Sequence, residues 1–392
     1  MKENTFASIP PMQIKPFIAT CAKVESIASP DIFCDNAKEL YRAYRDKGLF
    51  ETHTDPALYI YRIEASHRRH TGIVGINDVE DFFMGKVKKH EKTLSEREQH
   101  QLELFLQWEA VLKPVLLTYP PNAPIQGWLD HYTRRHKSLF SVHLDKAHQT
   151  HRIWAITEPA DIAEVQRLFA QHVHSVYIAD GHHRTSTIAL LHELADPAYQ
   201  RFDFDHLFCA YFATDQLRIA DYNRVVDALE SLSPATFMAH LSRLFEIEPL
   251  AEPRKPQEKH ELVMYLRTEW FALRWQPRVL DAYPTEQVVL DAELLNEHVL
   301  HSVLGIEDVR TDQRIAYVDG TKGFKGILKQ VGHKRSKVGF MLFPVSFDDM
   351  MRLADLGESL PPKSTYFEPR LRSGIIVQSL LRDDASVTQR PG

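Results

Sequence analysis

The chain has 392 residues, of which 44% are hydrophobic and 26% charged, close to the averages for soluble globular proteins. This composition argues against a disordered, collagen-like or membrane-embedded chain, and the length predicts two domains. A net charge of -6 and no long basic block argue against a nucleic-acid partner. Three scattered cysteines and an N-terminal segment without an apolar run indicate neither a disulfide framework nor a secretory signal. We therefore expect a cytoplasmic protein that is not bound to a membrane.

Helices and strands alternate along the first half of the chain. Apolar residues at three- and four-residue spacing predict helices, and runs of β-branched and aromatic residues predict strands. In chain order, we predict a helix over 37–47, a hairpin of strands 57–64 and 72–76, a helix opening at Asp78, a helix over 92–111, a strand at 115–119 and a helix over 126–136.

The second half continues the alternation. We predict a strand at 152–157, a helix over 162–169, a strand at 175–179, a helix over 182–194, a strand pair at 207–213 and 217–220 joined by a turn, a helix from Ser233 and a hairpin of strands 262–266 and 270–275. This order indicates an α+β (mixed α/β) fold. We expect two packed units, residues 1–230 and 231–392.

The most informative segment is residues 175–185, where an apolar strand meets a helix through Asp180 and Gly181. The first N–H groups of a helix lack internal partners and attract anions, and glycine allows close approach of a ligand to the backbone. The first turn supplies further phosphate contacts from His182, His183, Arg184 and Thr185. Asp180 can hold a metal ion or accept a proton. The alternative is a surface turn with a helix cap and a solvated arginine.

A second cluster, residues 86–93, combines four lysines with His90 and Glu91. Its lysines, Lys88 among them, suit a polyphosphate, and His90 or Glu91 could act as a base or metal ligand. The second histidine of a zincin motif is missing. Taken alone, this cluster also fits a solvated helix start.

A third cluster lies near the C-terminus, in residues 361–374. Prolines hold this polar stretch extended, and it could line a substrate pocket with Lys363, Ser364, Thr365, Glu368 and Arg370. The alternative is an ordered loop with surface salt bridges.

Several common motifs are missing from the sequence. Neither a P-loop nor a three-glycine dinucleotide pattern occurs, and a serine nucleophile elbow is also lacking. The glycine-containing stretch 320–326 has the wrong spacing for a P-loop and is predicted to form a turn between strands.

Together these segments resemble the bacterial family designated domain of unknown function 1015. The resemblance covers nearly the whole chain and rests on four landmarks in order: residues 85–93, 177–184, 222–226 and 361–374.

The Asp-Gly-His-His-Arg segment is in turn similar to the phosphate-binding box of the ParB and sulfiredoxin superfamily, whose members bind nucleotides there. The resemblance implies a nucleotide phosphate site carried by Gly181, His183 and Arg184, within a ParB/sulfiredoxin-like core packed against a second α+β unit. Sulfiredoxins carry a catalytic cysteine in the box where this chain has His182. Partition proteins rely on a basic DNA-binding domain that this sequence lacks. The kinase-like branch, which includes free-serine kinases, fits best.

We therefore expect phosphoryl transfer from ATP or another nucleotide, with Mg²⁺, to a small hydroxylated metabolite such as serine. Arg184 and the helix N-terminus would hold the phosphates, with Lys88 neutralising charge. Glu91 or Asp180 would position Mg²⁺ or deprotonate the acceptor. Two alternatives stay open: a non-catalytic nucleotide- or phosphometabolite-binding regulator, and a ParB-like DNA-associated regulator. The expected partner is a small-molecule substrate, and a homodimer is left open.

Overall fold

The computed structural model describes residues 11–65, 68–194 and 196–382. The first ten residues, which carry part of the argument against a secretory signal, lie outside these ranges. The described strands are β1 (Ala19–Ala22), β2 (Phe50–Thr52), β3 (Leu58–Ala65), β4 (Arg68–Asp78), β5 (Val87–Lys88), β6 (Ala110–Val111), β7 (Val115–Tyr119), β8 (Phe140–Leu144), β9 (Gln149–Ile156), β10 (Val176–Asp180), β11 (His206–Ala213), β12 (Arg218–Ala220), β13 (Tyr222–Asp227), β14 (Phe245–Leu250), β15 (Glu261–Leu266), β16 (Glu269–Trp275), β17 (Ile315–Asp319), β18 (Lys337–Leu342), β19 (Tyr366–Glu368) and β20 (Ile376–Ser379).

The α-helices alternate with these strands, so the fold is mixed α+β. They are α1 (Pro30–Asp35), α2 (Ala37–Asp46), α3 (Glu80–Phe83), α4 (Ser95–Trp108), α5 (Ala123–Arg135), α6 (Pro159–His172), α7 (His182–Leu194), α8 (Pro234–Leu241), α9 (Pro277–Leu280), α10 (Asp291–Leu294), α11 (Gly323–Val331) and α12 (Phe347–Asp355). Helix α10 continues into a π-helical turn, Leu295–His301.

The chain forms two compact units. The first comprises residues up to Arg218 together with those from Pro369 onward, and the second comprises Ile219–Glu368. This division differs from the predicted ranges 1–230 and 231–392. The reason is a long-range pairing, because β20 lies between β1 and β6 in a four-stranded sheet of the first unit.

An eight-stranded mixed sheet forms the centre of the first unit, in the order β5-β10-β7-β11-β4-β3-β9-β8. Strand β10 runs parallel to β5 and antiparallel to β7. Strands β7 and β11 are buried almost throughout, as expected for strands covered on both faces. The start of β10 therefore lies between two neighbouring strands, and its end, where α7 begins, pairs with β7 through Asp180 and Leu116.

A six-stranded sheet, β14-β16-β15-β18-β13-β17, forms the centre of the second unit. One face packs Val226, Met264 and Phe340 against α8 and the segment around α10. The opposite face packs Val225 and other side chains against α11. Strands β12 and β19 form a separate two-stranded sheet.

Most of the predicted helices and strands are confirmed, including both hairpins, β3/β4 and β15/β16, but three predictions are wrong. Strand β4 continues through Asp78, where a helix was expected. Strands β11 and β12 do not pair with each other, because β11 joins β4 and β7 while β12 joins β19. Residues 320–326 are helical rather than a turn between strands, because they open α11, whose apolar side packs on the sheet.

Gly72 provides a test of how tightly β4 is enclosed in the eight-stranded sheet. A Cβ atom at this position would lie 2.4 Å from the Tyr211 carbonyl oxygen and 2.5 Å from the Phe212 ring. We expect Gly72→Ala to lower the free energy of unfolding by about 1–3 kcal/mol, the usual cost of overpacking. Urea denaturation measures the change.

The matched control is Gly127→Ala, in the interior of α5, where the new methyl group would meet no described atom within 4 Å apart from its chain neighbours and the backbone of its own helix. This variant should gain roughly 0.5–1 kcal/mol, because alanine favours helix more than glycine does. Equal effects of the two substitutions would contradict the packing described for β4.

Candidate functional site

The site is built on the junction between β10 and α7. The register between β10 and β7 shifts between Ile178 and Asp180, and Gly181 then takes a φ of +114°, which disfavours residues with a side chain. Helix α7 starts at the next residue, His182. The Asp180 side chain therefore lies at the positive end of the helix dipole.

Three cations act on the Asp180 carboxylate. Lys113 Nζ lies 2.6 Å from Asp180 Oδ2 and Arg184 Nη2 lies 3.3 Å from the same oxygen. Burial by itself raises the pKa of Asp180, but Lys113, Arg184 and Arg370 outweigh it and hold the pKa well below the usual range. Asp180 is therefore ionised at neutral pH, within a cluster that carries more positive than negative charge.

Lys113 is a site residue that the sequence analysis missed. It lies between the short strand β6 and the buried strand β7, and its side chain is only 15% exposed. Burial lowers the pKa of Lys113, while the neighbouring Asp180 carboxylate raises it. The sequence shows a lysine two residues before the apolar strand β7. It does not show that Asp180 is the partner of this lysine.

The Arg184 guanidinium folds back over Gly181. A Cβ atom on Gly181 would lie 2.7 Å from Arg184 Nη2, so the absence of a side chain allows this arrangement. The same nitrogen donates weakly to the Pro114 carbonyl at 3.4 Å. Within the described chain, Arg184 Nε is buried and has no hydrogen-bond partner.

Two buried histidines lie beside this cluster. The rings of His90 and His182 meet edge to face, with centroids 4.5 Å apart. Burial lowers the pKa of His90 to about 3 and, more than any other cause, holds the pKa of His182 well below its usual value. Both rings are therefore neutral at pH 7. The Glu91 carboxylate lies 3.6 Å from His182 Nδ1, so residues of the 86–93 and 175–185 clusters lie side by side.

The remaining predicted phosphate ligands differ in environment. Lys88 pairs in register with Tyr177 and lies 5.8 Å from the centre of its ring. Thr185 is fully buried and its hydroxyl bonds to the Gly181 carbonyl at 3.3 Å. His183 is half-buried in the first turn of α7. The Thr185 hydroxyl therefore stabilises the start of α7 in this structure.

The structure divides the C-terminal candidate residues between the two units. Arg370 belongs to the first unit and acts electrostatically on Asp180 and Lys113. The other four, Lys363, Ser364, Thr365 and Glu368, belong to the second unit.

Two of those four residues have defined contacts within the second unit. Lys363 Nζ lies 5.4 Å from the centre of the Tyr222 ring. Ser364 is buried and its hydroxyl bonds to the Pro361 carbonyl at 2.7 Å. Their role in binding a substrate stays a prediction.

The carboxylates available for a metal ion are few. Within residues 11–65, 68–194 and 196–382, no three His, Cys, Asp or Glu side chains group as metal ligands. Mg²⁺ needs only one or two protein carboxylates when phosphate oxygens and water complete its coordination. The carboxylates beside the first turn of α7 are those of Asp180 and Glu91. None of the described helices combines the length and apolar character needed to cross a membrane.

The chain belongs to the family described as "Protein of unknown function (DUF1015)", whose sequence pattern matches residues 22–294. The match includes the β10–α7 junction and the 86–93 cluster. No curated protein matches the chain.

Several solved structures are similar to the chain at low identity. SbnI with a C-terminal truncation, from Staphylococcus aureus, is 14% identical over 81% of this chain and 90% of its own, with a TM-score of 0.43. A mutant of free serine kinase in complex with ADP is 14% identical over 75% and 87%, with a TM-score of 0.36. A conserved hypothetical protein from Pyrococcus furiosus is 14% identical over 78% and 95%, with a TM-score of 0.37.

The charge cluster can be tested through Asp180→Asn. We expect the variant to lose about 1–3 kcal/mol of unfolding free energy at pH 7, because charge-assisted hydrogen bonds are lost and the buried Lys113 loses its anionic partner. The pKa of Asp180 is lowered on folding, so its stabilisation is present above the unfolded-state value near 3.9 and decreases as the pH falls below it.

Urea denaturation between pH 7 and pH 3 measures both effects. The control is Asp308→Asn, which removes an exposed ion pair with Arg310 and should leave the stability close to that of the wild type. If the difference in unfolding free energy between the wild type and Asp180→Asn grows as the pH falls below 4, Asp180 is not the ionised group described here.

Proposed function

We propose that the protein is a nucleotide-dependent phosphoryl-transfer enzyme that acts on a small hydroxylated metabolite, with free serine as the leading candidate. The nucleotide is ATP or a relative, used with Mg²⁺. The proposal includes a phosphate-binding box of the ParB/sulfiredoxin type, formed by Gly181, His183 and Arg184.

The observation that carries this proposal is the convergence of Lys113, Arg184 and Arg370 on Asp180 at the N-terminus of α7. Phosphoryl transfer depends mainly on positioning and on neutralising the charge of the phosphates. Three cations and the positive end of the α7 helix dipole favour an anion at this place. A helix cap by itself would not need three cations.

The protonation states suggest a division of roles. Asp180, with its lowered pKa, is a poor proton acceptor and a suitable Mg²⁺ ligand. The neutral ring of His90, with a pKa of about 3, is also a weak base, so His90 would position His182. Glu91 is then the group proposed to accept the proton of the acceptor hydroxyl, and it can share the Mg²⁺ ion with Asp180. Bound Mg²⁺ would neutralise charge on the phosphates.

The other predicted residues keep supporting roles in the proposal. His182 and the main chain around Gly181 would contact the phosphates, with Lys88 as an added cation. Thr185 would fix the first helical turn through its bond to the Gly181 carbonyl. Arg370, in the same unit as Asp180, is assigned to substrate orientation, and the corresponding role of Lys363, Ser364, Thr365 and Glu368 stays a prediction from the sequence.

The decisive variant is Arg184→Ala. We expect it to weaken Mg²⁺–ATP binding at least about tenfold, because a charged hydrogen bond to phosphate contributes roughly 1.5–3 kcal/mol. Calorimetric titration measures the affinity, and phosphorus NMR with L-serine as acceptor detects the phosphorylated product. Urea denaturation shows whether the variant is folded.

Arg167→Ala is the matched control, since Arg167 forms an exposed ion pair with Glu164 on α6. Its affinity and product formation should equal those of the wild type. Unchanged nucleotide affinity in Arg184→Ala would remove the proposed phosphate site. If the wild type binds Mg²⁺–ATP tightly but phosphorylates none of the hydroxylated acceptors tested, the protein binds the nucleotide without catalysing phosphoryl transfer.

A further inference from the structure

Two histidines of the first unit each lie between a pair of carboxylates. His206, the first residue of β11, has its Nδ1 atom 2.9 Å from Asp203 Oδ2 and its Nε2 atom 3.5 Å from Asp78 Oδ1. The antiparallel pairing of β4 with β11 places His206 opposite Asp78. This ring therefore bridges the end of β4 and the segment that leads into β11.

The second bridge is formed by His192, in the last turn of α7. Its Nδ1 atom lies 2.9 Å from Asp205 Oδ1, and its Nε2 atom lies 3.3 Å from Glu80 Oε1. Glu80 is the first residue of α3. Both bridges thus connect residues 78–80 with residues 203–205, and the second bridge also includes α7.

A histidine between two carboxylates is fully hydrogen-bonded only as the protonated ring. An ionised carboxylate accepts hydrogen bonds and donates none. A neutral imidazole donates from one nitrogen and presents a lone pair on the other, whereas the imidazolium ion donates from both. In each bridge a neutral ring therefore turns a lone pair toward one of the carboxylates. The side chains of His192 and His206 are 23% and 26% exposed, so solvent protons reach both rings.

The charges around the two bridges also favour protonated rings. The carboxylates that contact the rings are those of Asp78, Glu80, Asp203 and Asp205. Lys15 Nζ pairs with Asp78 at 2.5 Å, and Arg382 Nη2 pairs with Asp205 at 2.6 Å. These two cations offset half of the negative charge of the four carboxylates, and two imidazolium rings offset the other half.

The surroundings of His206 act in the same direction. The hydrogen bond to Asp203 raises the pKa of His206, while burial and Lys15 oppose the increase. Asp81, next to the first residue of α3, pairs with Lys86 at 2.7 Å and so adds no net charge. His206 therefore holds its proton to a higher pH in the folded protein than in the unfolded chain.

We propose that His192 and His206 form a latch that closes on protonation and holds the start of α3 and the last turn of α7 against residues 203–205. As the pH rises and the two rings lose their protons, each bridge loses one N–H donor and the latch opens. Helix α7 begins at the candidate site, and α3 leads through β5 into the 86–93 cluster. The latch therefore acts on two elements that lead to the site, although it needs neither nucleotide nor Mg²⁺.

The latch makes local stability depend on pH. Because the pKa of His206 is raised on folding, its stabilisation is fully present below the unfolded-state value near 6.5 and is lost as the pH rises through the folded-state value. Hydrogen exchange of the full-length wild type, read by mass spectrometry and corrected for the intrinsic effect of pH, measures the opening. We expect the protection of amides 82–86 and 190–194 to fall at least about threefold between pH 6 and pH 8, a modest change because the charged pairs are partly exposed.

The matching variant is the double substitution His192→Gln with His206→Gln. Glutamine keeps an amide donor for a carboxylate but does not titrate, so the protection of both segments should stay constant between pH 6 and pH 8. The control is His143→Gln, since His143 Nε2 lies 3.4 Å from Asp145 Oδ1 in an exposed pair of the same unit. This variant should keep the pH dependence of the wild type.

The proposal is overturned if protection of the two segments in the wild type does not change between pH 6 and pH 8. A double variant that keeps the full pH dependence, or its loss in His143→Gln, also refutes the latch. If the double variant does not fold, the wild-type measurement decides by itself. No nucleotide is present in these experiments, so their outcome is independent of the phosphoryl-transfer proposal.

Discussion

The ionised carboxylate of Asp180 determines how the rest of the site is arranged. It ends an otherwise buried strand, and burial alone would raise its pKa and favour the neutral form. Lys113 and Arg184 reverse that tendency at distances of 2.6 Å and 3.3 Å. The two cations come from different parts of the chain, so the ion cluster joins the end of β10, the start of β7 and the first turn of α7.

The same constraint explains the local backbone. Arg184 can reach Asp180 only by folding over residue 181, where a Cβ atom would come within 2.7 Å of its guanidinium. Glycine removes that obstacle and also accepts the φ of +114°. The neutral His90 and His182 rings beside the cluster add no further positive charge, because burial lowers the pKa of both. The position of the Arg184 side chain and the neutral state of the two histidines therefore both follow from close packing around the β10–α7 junction.

The buried charged groups of the second unit differ in whether they have a partner of opposite charge. Asp221 pairs with Lys255 at 3.3 Å, and Glu261 receives two bonds from Arg254. Arg224, by contrast, is left with the backbone carbonyl and ring of neighbouring tyrosines. The guanidinium remains charged, and its Nε and Nη2 atoms have no hydrogen-bond partner among the described residues.

Local pattern predicted much of the secondary structure. The strand β7 and the helix α7 have the predicted bounds, because proline or glycine marks their ends and apolar spacing marks their interiors. The sequence also identified Asp180, Gly181 and Arg184, because strand, turn and helix follow one another within ten residues. The spacing of apolar residues shows which face of a helix or strand is buried, but it does not show which other strand a given strand will pair with. For that reason the sequence by itself placed β11 and β12 in one hairpin and assigned the C-terminal residues to the second unit.

The sequence determined the fold class, the family and the position of the β10–α7 junction, because each depends on contiguous residues. Only the tertiary structure decided which distant side chains meet there. Strand pairing across the sheet brings Lys113 to Asp180, and the return of the chain at Pro369 places Arg370 in the same unit, where it acts electrostatically on that carboxylate. Burial, which no single segment encodes, then keeps His90 and His182 neutral, while the cations around Asp180 outweigh burial and keep that carboxylate ionised. Charge at a buried site depends on everything packed around it, and packing is a property of the folded chain.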